Sequence, residues 1–324
     1  MRATAKSSYA WLHCSLADRK AKVAVITFTK VIRTKSDFER SKLVVMTPLV
    51  SPSWLASRLQ SSDTVVLDAT LPPVGVSPPA DTRARYLEKH IPGAIFFDIE
   101  ELSDHATPLP HMLPAPEAFS CSMSALGIGD NMTIVVYEQE GVFSAPRAWW
   151  MLRTFGAQNV YVLDGGLRAW TEAGLATESG PVHRAPASFH ATLDRDAVKD
   201  LSQLRGRIVK HQQILDARSA GRFNGTAPEP RAGLSSGHMP GAISVPFTEL
   251  VEDGRLKSEG KLREVFAVKN VDLQQSITTT CGSGVTAAVI ALGLAVVGAP
   301  HVSLYDGSWA EYAQQPDAVI EKNT

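Results

Sequence analysis

Cysteine is scarce: Cys14, Cys121 and Cys281 are the only three in 324 residues. Three thiols cannot build a disulfide framework or a four-thiolate zinc cluster, and such scarcity suits a reducing compartment. Charge of one sign is not in excess either. Thirty-two Lys and Arg against 33 Asp and Glu leave a formal net charge of −1, which argues against a nucleic-acid binder. No apolar run reaches the roughly 18 residues that cross a bilayer, so no membrane association is expected. The longest, from Val285 to Val297, reads as a buried helix. There is no secretory pattern of basic head, apolar stretch and small-residue cleavage site. What is present is an ordinary globular balance, 44% hydrophobic and 20% charged, in a chain long enough for two domains.

The charge is unevenly spread. Residues 1–46 hold ten Lys and Arg against three Asp and Glu, a balance of +7; the remainder holds 22 against 30, a balance of −8. The first 46 residues read either as a basic transit peptide or as sequence upstream of a true start at Met46. The second reading puts the protein in the cytoplasm, and the first would put it in the mitochondrion.

The rest of the chain repeats itself. Asp68-Ala69 and Asp216-Ala217 each end an apolar run, 148 residues apart. HIPGA at 90–94 and HMPGA at 238–242 share that offset, and LDGGLRAW (163–170) answers YDGSWAEY (305–312) at an offset of 142. Three landmarks in one order at near-constant spacing indicate a duplicated domain. Short β-branched runs, at Val65–Asp68, Ile134–Tyr137, Val160–Leu163, Ile214–Asp216, Ile277–Thr280 and Val302–Tyr305, predict buried strands. Helical patterns such as APRAWWMLRTFG and VTAAVIALGLAVVG alternate with them and close on glycine. The expected fold class is therefore α/β, two tandem domains each built on a parallel sheet flanked by helices on both faces. The expected division is an extension at 1–46, a first domain at 47–175, a Gly-, Pro- and Ser-rich linker at 176–205 and a second domain at 206–324.

The chemistry points to Cys281. ITTT-CGSGVT-AAVIALGLAVVG reads as strand, loop, helix. Gly282 and Gly284 allow a tight loop whose N–H groups point inward, and a helix starting near Val285–Thr286 adds positive potential. A thiolate is stabilised in such a cup, and Ser283 and Thr286 can add hydroxyl donors. Cys14 and Cys121 have no such setting. Arg222 and Arg231, in GRFNGTAPEPR, suit a carboxylate clamp, or else salt-bridge nearby acids such as Glu229. In the first copy the matching strand end reads Glu138-Gln139-Glu140-Gly141, which supplies no nucleophile. Trp149 and Trp150 read as packing residues, and Asp164 and Asp306 as turn and helix-start residues.

CGSGVTA, the DGS-W element, the two H-x-P-G-A turns and the tandem layout resemble the rhodanese superfamily, and within it the 3-mercaptopyruvate sulfurtransferases. RFNGTAPEPRAGL, SDHATPLPHMLP and SAPRAWWMLRTFG extend the resemblance over residues 48–315. The resemblance implies a persulfide on Cys281, cradled by Gly282, Gly284, Val285 and Thr286. It implies that Arg222 first, then Arg231, holds the carboxylate and keto oxygen of 3-mercaptopyruvate. It implies a Ser–His–Asp relay, for which Ser283, His90 and Asp81 are the candidates, although His238 repeats the place of His90 and favours a turn role for it. Small thiols, thioredoxin or cyanide would accept the sulfur, with no metal and no organic cofactor. Thiosulfate-specific relatives carry cations after the Cys; Gly282 and Ser283 are neutral, which favours mercaptopyruvate over thiosulfate as donor. A cysteine phosphatase would need Arg six residues past the Cys, where Ala287 stands. A non-catalytic sulfur-carrier or binding module is the alternative of a different class, and an intact Cys loop speaks against it.

Overall fold

A computed structural model describes residues 47–72, 75 and 79–323. The basic segment 1–46, with Cys14 and both readings given to it, lies outside the described residues.

The first copy runs β1 (Leu49–Val50), α1 (Pro52–Ala56), β2 (Thr64–Asp68), α2 (Thr82–Glu88), β3 (Ile95–Phe96), α3 (Pro116–Ala125), β4 (Thr133–Tyr137), α4 (Ala145–Thr154), β5 (Asn159–Leu163) and α5 (Gly166–Glu172). The second runs β6 (Val198–Lys199), α6 (Leu201–Val209), β7 (Gln213–Asp216), α7 (Ala220–Asn224), β8 (Ile243–Ser244), a 3-10 turn (Phe247–Leu250), a β9–β10 hairpin (Val251–Glu252, Arg255–Leu256), α8 (Glu259–Val268), β11 (Ile277–Thr280), α9 (Ala287–Val296), β12 (Val302–Tyr305) and α10 (Ser308–Tyr312). The sheets order as β1-β5-β4-β2-β3 and β6-β12-β11-β7-β8, so one order maps onto the other strand for strand. All pairings within them are parallel.

Parallel strands covered on both faces read as continuous buried runs, and every residue of β2 and β11 is buried. The threonines of β11 hold their hydroxyls there because β12 and its following turn supply partners. Thr278 Oγ1 lies 3.1 Å from Ser303 Oγ, and Thr280 Oγ1 donates to Ser308 Oγ at 3.5 Å. The two copies share one apolar core. Helices α4 and α9, both almost wholly buried, lie against each other, and Trp149, Trp150, Ile290 and Leu294 belong to the same cluster.

Each copy also sends a loop across to the other. Asp164, after β5, accepts the Leu256 N–H of the β9–β10 hairpin at 3.2 Å. Asp306, after β12, accepts the Leu113 N–H at 2.7 Å. Leu113 and Leu256 are 143 positions apart, the same offset as Tyr137 and Thr280 at the ends of β4 and β11. The exchange is therefore reciprocal: equivalent aspartates receive equivalent amides. Neither aspartate serves as the helix start expected from the sequence; the N-cap of α10 is Gly307, with no side-chain cap.

The two H-x-P-G-A histidines are equivalent in structure as well. His90 exchanges both backbone hydrogen bonds with Glu178, and His238 does so with Glu321. Their rings stack on Tyr86 and Phe223, with centroids 4.4 and 4.0 Å apart, and each Nδ1 meets a backbone carbonyl, of Tyr86 and Phe223 respectively. Each pins the turn to the segment that leaves the last helix of its own copy.

Candidate active site

Cys281 opens the loop after β11 and is 2% exposed. Its backbone is fixed from α10: Trp309 N–H donates to the Cys281 carbonyl at 2.9 Å, Ala310 N–H to the Gly282 carbonyl at 3.0 Å, and Cys281 N–H to Ser308 Oγ at 3.4 Å. From there the loop climbs to the start of α9. Among the described residues, the backbone N–H groups from Gly282 to Ala287 donate to no protein acceptor. Buried polar groups are normally paired, so an uncommitted row of donors beside a sulfur is a cradle for negative charge. Gly284 has φ +80°, and a Cβ there would lie 2.8 Å from Arg147 Nη1. A Cβ at Gly282 would lie 2.9 Å from Arg222 Nη2. The glycines thus make room for two arginines as well as for a turn.

Beside the thiol is a cavity of about 270 Å³, walled by Phe143, Phe247, Pro230, Arg222, Arg231 and Thr286. The arginines around it are not equivalent. Arg218 is buried, clamps Asp216 through Nε and Nη2, reaches Glu229 at 2.8 Å, and stacks 4.0 Å from the Trp309 ring. Glu229 gives its other oxygen to Arg222, at 2.5 and 3.1 Å. Both readings of Arg222 therefore meet: it faces the loop and it is salt-bridged. Arg231 makes no hydrogen bond or ion pair among the described residues. Burial pulls its guanidinium below the ordinary value, while Cys281 opposes that and Arg222 adds to it. Both line the cavity; Arg222 shares Glu229, whereas Arg231 has no acid in ion-pair contact among the described residues.

Ser283 does find an imidazole, but a different one from that expected. His111 Nδ1 lies 2.9 Å from Ser283 Oγ, and His111 Nε2 lies 2.7 Å from Glu100 Oε1. The hydrogen bond from His111 holds the Glu100 carboxyl below its usual range. His90 and Asp81 share no part of this chain. His90 is fully buried in its turn, as described above. Asp81 caps α2, accepting the Ala84 N–H at 2.9 Å. The physical reason is that both motif histidines are used up by the same turn. His111 instead lies on the loop that crosses between the copies, where the second copy has Gly254, 143 positions on. Both residues take the left-handed conformation, His111 at φ +60°. A side chain where its twin has none was the available signal in SDHATPLPHMLP.

The first copy has the same cup, and it is filled. Glu138 occupies the place of Cys281, and its carboxylate accepts the N–H groups of Phe143 (2.6 Å), Ser144 (3.1 Å) and Ala145 (3.2 Å). Burial outweighs these donors and pushes the carboxyl up from 4.5 to about 7. The folded state therefore binds a proton that the unfolded chain has released across that window. Its stabilising effect is full below about pH 4.5 and is lost as pH rises through about 7, a change of roughly 3 kcal/mol. Glu138→Gln is expected to flatten the fall in melting temperature between pH 5 and pH 8. A slope equal to that of the unmodified chain would mean that Glu138 stays ionised throughout.

Among the described residues, no group of three or more His, Cys, Asp or Glu could hold a metal ion, and no helix is long and apolar enough to cross a membrane.

Comparison with known proteins agrees with this architecture. The chain is 44% identical over 278 residues to the 3-mercaptopyruvate sulfurtransferase of Escherichia coli strain K12, covering 84% of this chain and 97% of that protein. It is 43% identical over 278 residues to bovine (Bos taurus) thiosulfate sulfurtransferase, covering 83% and 93%. The crystal structure of SseA from Escherichia coli, a 3-mercaptopyruvate sulfotransferase, superposes with a TM-score of 0.76 at 43% identity, covering 81% of this chain and 99% of that one. The model of the rhodanese-like domain matches twice, at residues 51–173 and 198–315. With two such matches laid over two equivalent sheets, the chain belongs to the rhodanese-like family.

Proposed function

We propose that the protein is a 3-mercaptopyruvate sulfurtransferase that works through a persulfide on Cys281. The Cys281 thiolate attacks the substrate sulfur, and the carbon–sulfur bond breaks with its electron pair left on carbon. The leaving group is the enolate of pyruvate, which takes up a proton to become pyruvate. The outer sulfur remains on Cys281 as a persulfide, in reach of the uncommitted N–H groups from Gly282 to Thr286. A thiolate acceptor, from a small thiol or a thioredoxin-like dithiol, then bonds to the outer sulfur and Cys281 leaves as thiolate. Cyanide takes the same sulfur as thiocyanate. This is covalent nucleophilic catalysis with preorganised donors at the developing charge. Arg231 and Arg222 bind the carboxylate and keto oxygen. The loop of the first copy that matches the Cys281 loop takes no chemical part, because Glu138 fills it; that copy instead lends His111 and Glu100 to the proton relay. The reaction is assigned to the cytoplasm, or to the mitochondrion if residues 1–46 act as a transit peptide.

The observation that carries the choice of donor is the chain Glu100–His111–Ser283, two residues past the nucleophile. Thiosulfate loses sulfite, an anion that needs no proton. Mercaptopyruvate loses an enolate that does, and its thiol carries a proton that must go somewhere. A hydroxyl joined to an imidazole serves the second reaction and has no task in the first. Overall identity does not discriminate, since relatives named for the two donors stand at 44% and 43%. Pyruvate release from 3-mercaptopyruvate with dithiothreitol, measured beside thiosulfate with cyanide, tests the assignment. The expected kcat/KM ratio favours mercaptopyruvate by at least about tenfold; a ratio favouring thiosulfate would overturn it.

A further inference from the structure

The ion pair between Arg147 and Asp306 joins the two copies, and its placement ties it to His111. Arg147 Nη2 lies 2.8 Å from Asp306 Oδ1, with side chains 0% and 5% exposed. The same nitrogen donates to the carbonyl of His111. The second oxygen of Asp306 accepts the N–H of Leu113 at 2.7 Å. The pair thus holds the backbone on both sides of Met112, at the carbonyl of His111 and the amide of Leu113. The guanidinium also lies 4.6 Å from the Trp150 ring and fills the space left by Gly284. His111 needs such a hold. It is not a glycine, it sits at φ +60°, and its ring must meet Ser283 from the other copy.

The equivalent contact on the inert side shows what docking alone requires. There Asp164 receives Leu256 N–H at 3.2 Å, and among the described residues the cation in ion-pair range is Arg255, 3.8 Å away and 41% exposed. No buried guanidinium is present on that side: the position equivalent to Arg147 is Ile290. A weak, solvated version suffices where there is no chemistry, and a buried, doubly tied version stands where the histidine is.

Resting on the sulfurtransferase reading above, we propose that Arg147 and Asp306 are positioning residues for the proton relay, acting through His111. They set the distance between the His111 ring and Ser283 without touching the substrate. Misplacing a reacting group by about an ångström costs on the order of a hundredfold, so the effect falls on turnover and not on binding.

The test is a double-mutant cycle on the full chain. Asp306→Asn is expected to lower kcat for pyruvate release about 10- to 100-fold and to leave KM within about twofold. In a His111→Asn background the same change is expected to alter kcat by less than about twofold, because the group being positioned is gone. Thiosulfate turnover by Asp306→Asn should stay near that of the unmodified protein. Asp164→Asn, the equivalent change on the inert side, should leave both reactions near normal. Asp306→Asn strands a buried cation, so the neutral pair Arg147→Gln with Asp306→Asn is made as well, and the same loss of kcat is expected from it. Losses that multiply in the His111→Asn background, or a rise in KM at constant kcat, would overturn the positioning role while leaving the enzyme assignment intact. An unmodified protein that releases no pyruvate would sink both.

Discussion

Cys281→Ser is expected to reduce pyruvate release by at least about a thousandfold while the protein folds and melts as before. The chemical side of this expectation is simple. A serine hydroxyl is far weaker as a nucleophile near neutral pH and cannot store sulfur as a persulfide. The structural side is what makes the experiment clean. Among the described residues, residue 281 is placed by hydrogen bonds of its own backbone alone: its carbonyl accepts Trp309 N–H and its N–H donates to Ser308 Oγ. An oxygen in place of sulfur leaves them untouched in a pocket that is already nearly closed. Mass spectrometry after exposure to mercaptopyruvate without acceptor checks the mechanism directly: the unmodified protein should gain one sulfur, and the variant none. A variant that still gains a sulfur and still turns over would place the persulfide elsewhere.

Arg231→Met is expected to lower kcat/KM for mercaptopyruvate about 100-fold, consistent with the loss of charge-assisted hydrogen bonds to a carboxylate. The change is informative because Arg231 has no acid to abandon. Removing Arg222 would release one oxygen of Glu229, and removing Arg218 would release the other and take the guanidinium from Asp216. Desolvation is the largest influence on Arg231 and no ion pair offsets it, so a neutral side chain of similar length should leave the melting temperature unchanged or slightly higher. A loss confined to stability, with kinetics intact, would refute the clamp. A selective loss with mercaptopyruvate, with thiosulfate turnover much less affected, would show that the arginine reads the keto acid.

The fold was legible because the strands are short, apolar and repeated. Ile277–Thr280 and Val302–Tyr305 were bounded correctly from β-branching alone, and the others missed one residue at the first end. Buried parallel strands leave such runs, and a duplicate confirms each one. Cys281 was legible for a related reason: a strand, a glycine loop and a helix in succession constrain the backbone before any packing is known. The relay was not. Sequence places His90 next to a shared motif, and a shared motif in a duplicated chain marks what both copies need, which here is a turn. His111 and Glu100 come from the half without the nucleophile, on a loop whose path depends on Asp306 and Arg147. No local pattern encodes a contact across that span. Asp164 and Asp306 do sit in the turns read from the sequence, but each also bonds to the opposite copy, which no local pattern shows.

Ser283 and His111 stand 172 residues apart. The loop bearing the imidazole belongs to the part of the chain that leaves the ribosome first, and the thiol belongs to the part that leaves last. The cysteine thus joins a wall already laid down by the first copy, and is then fixed in place by α10, which follows it. Until the second sheet closes over α4, neither the relay nor the sulfur has its counterpart. A chain cut short between the copies carries His111 and Glu100 but lacks Ser283 and the thiol they serve.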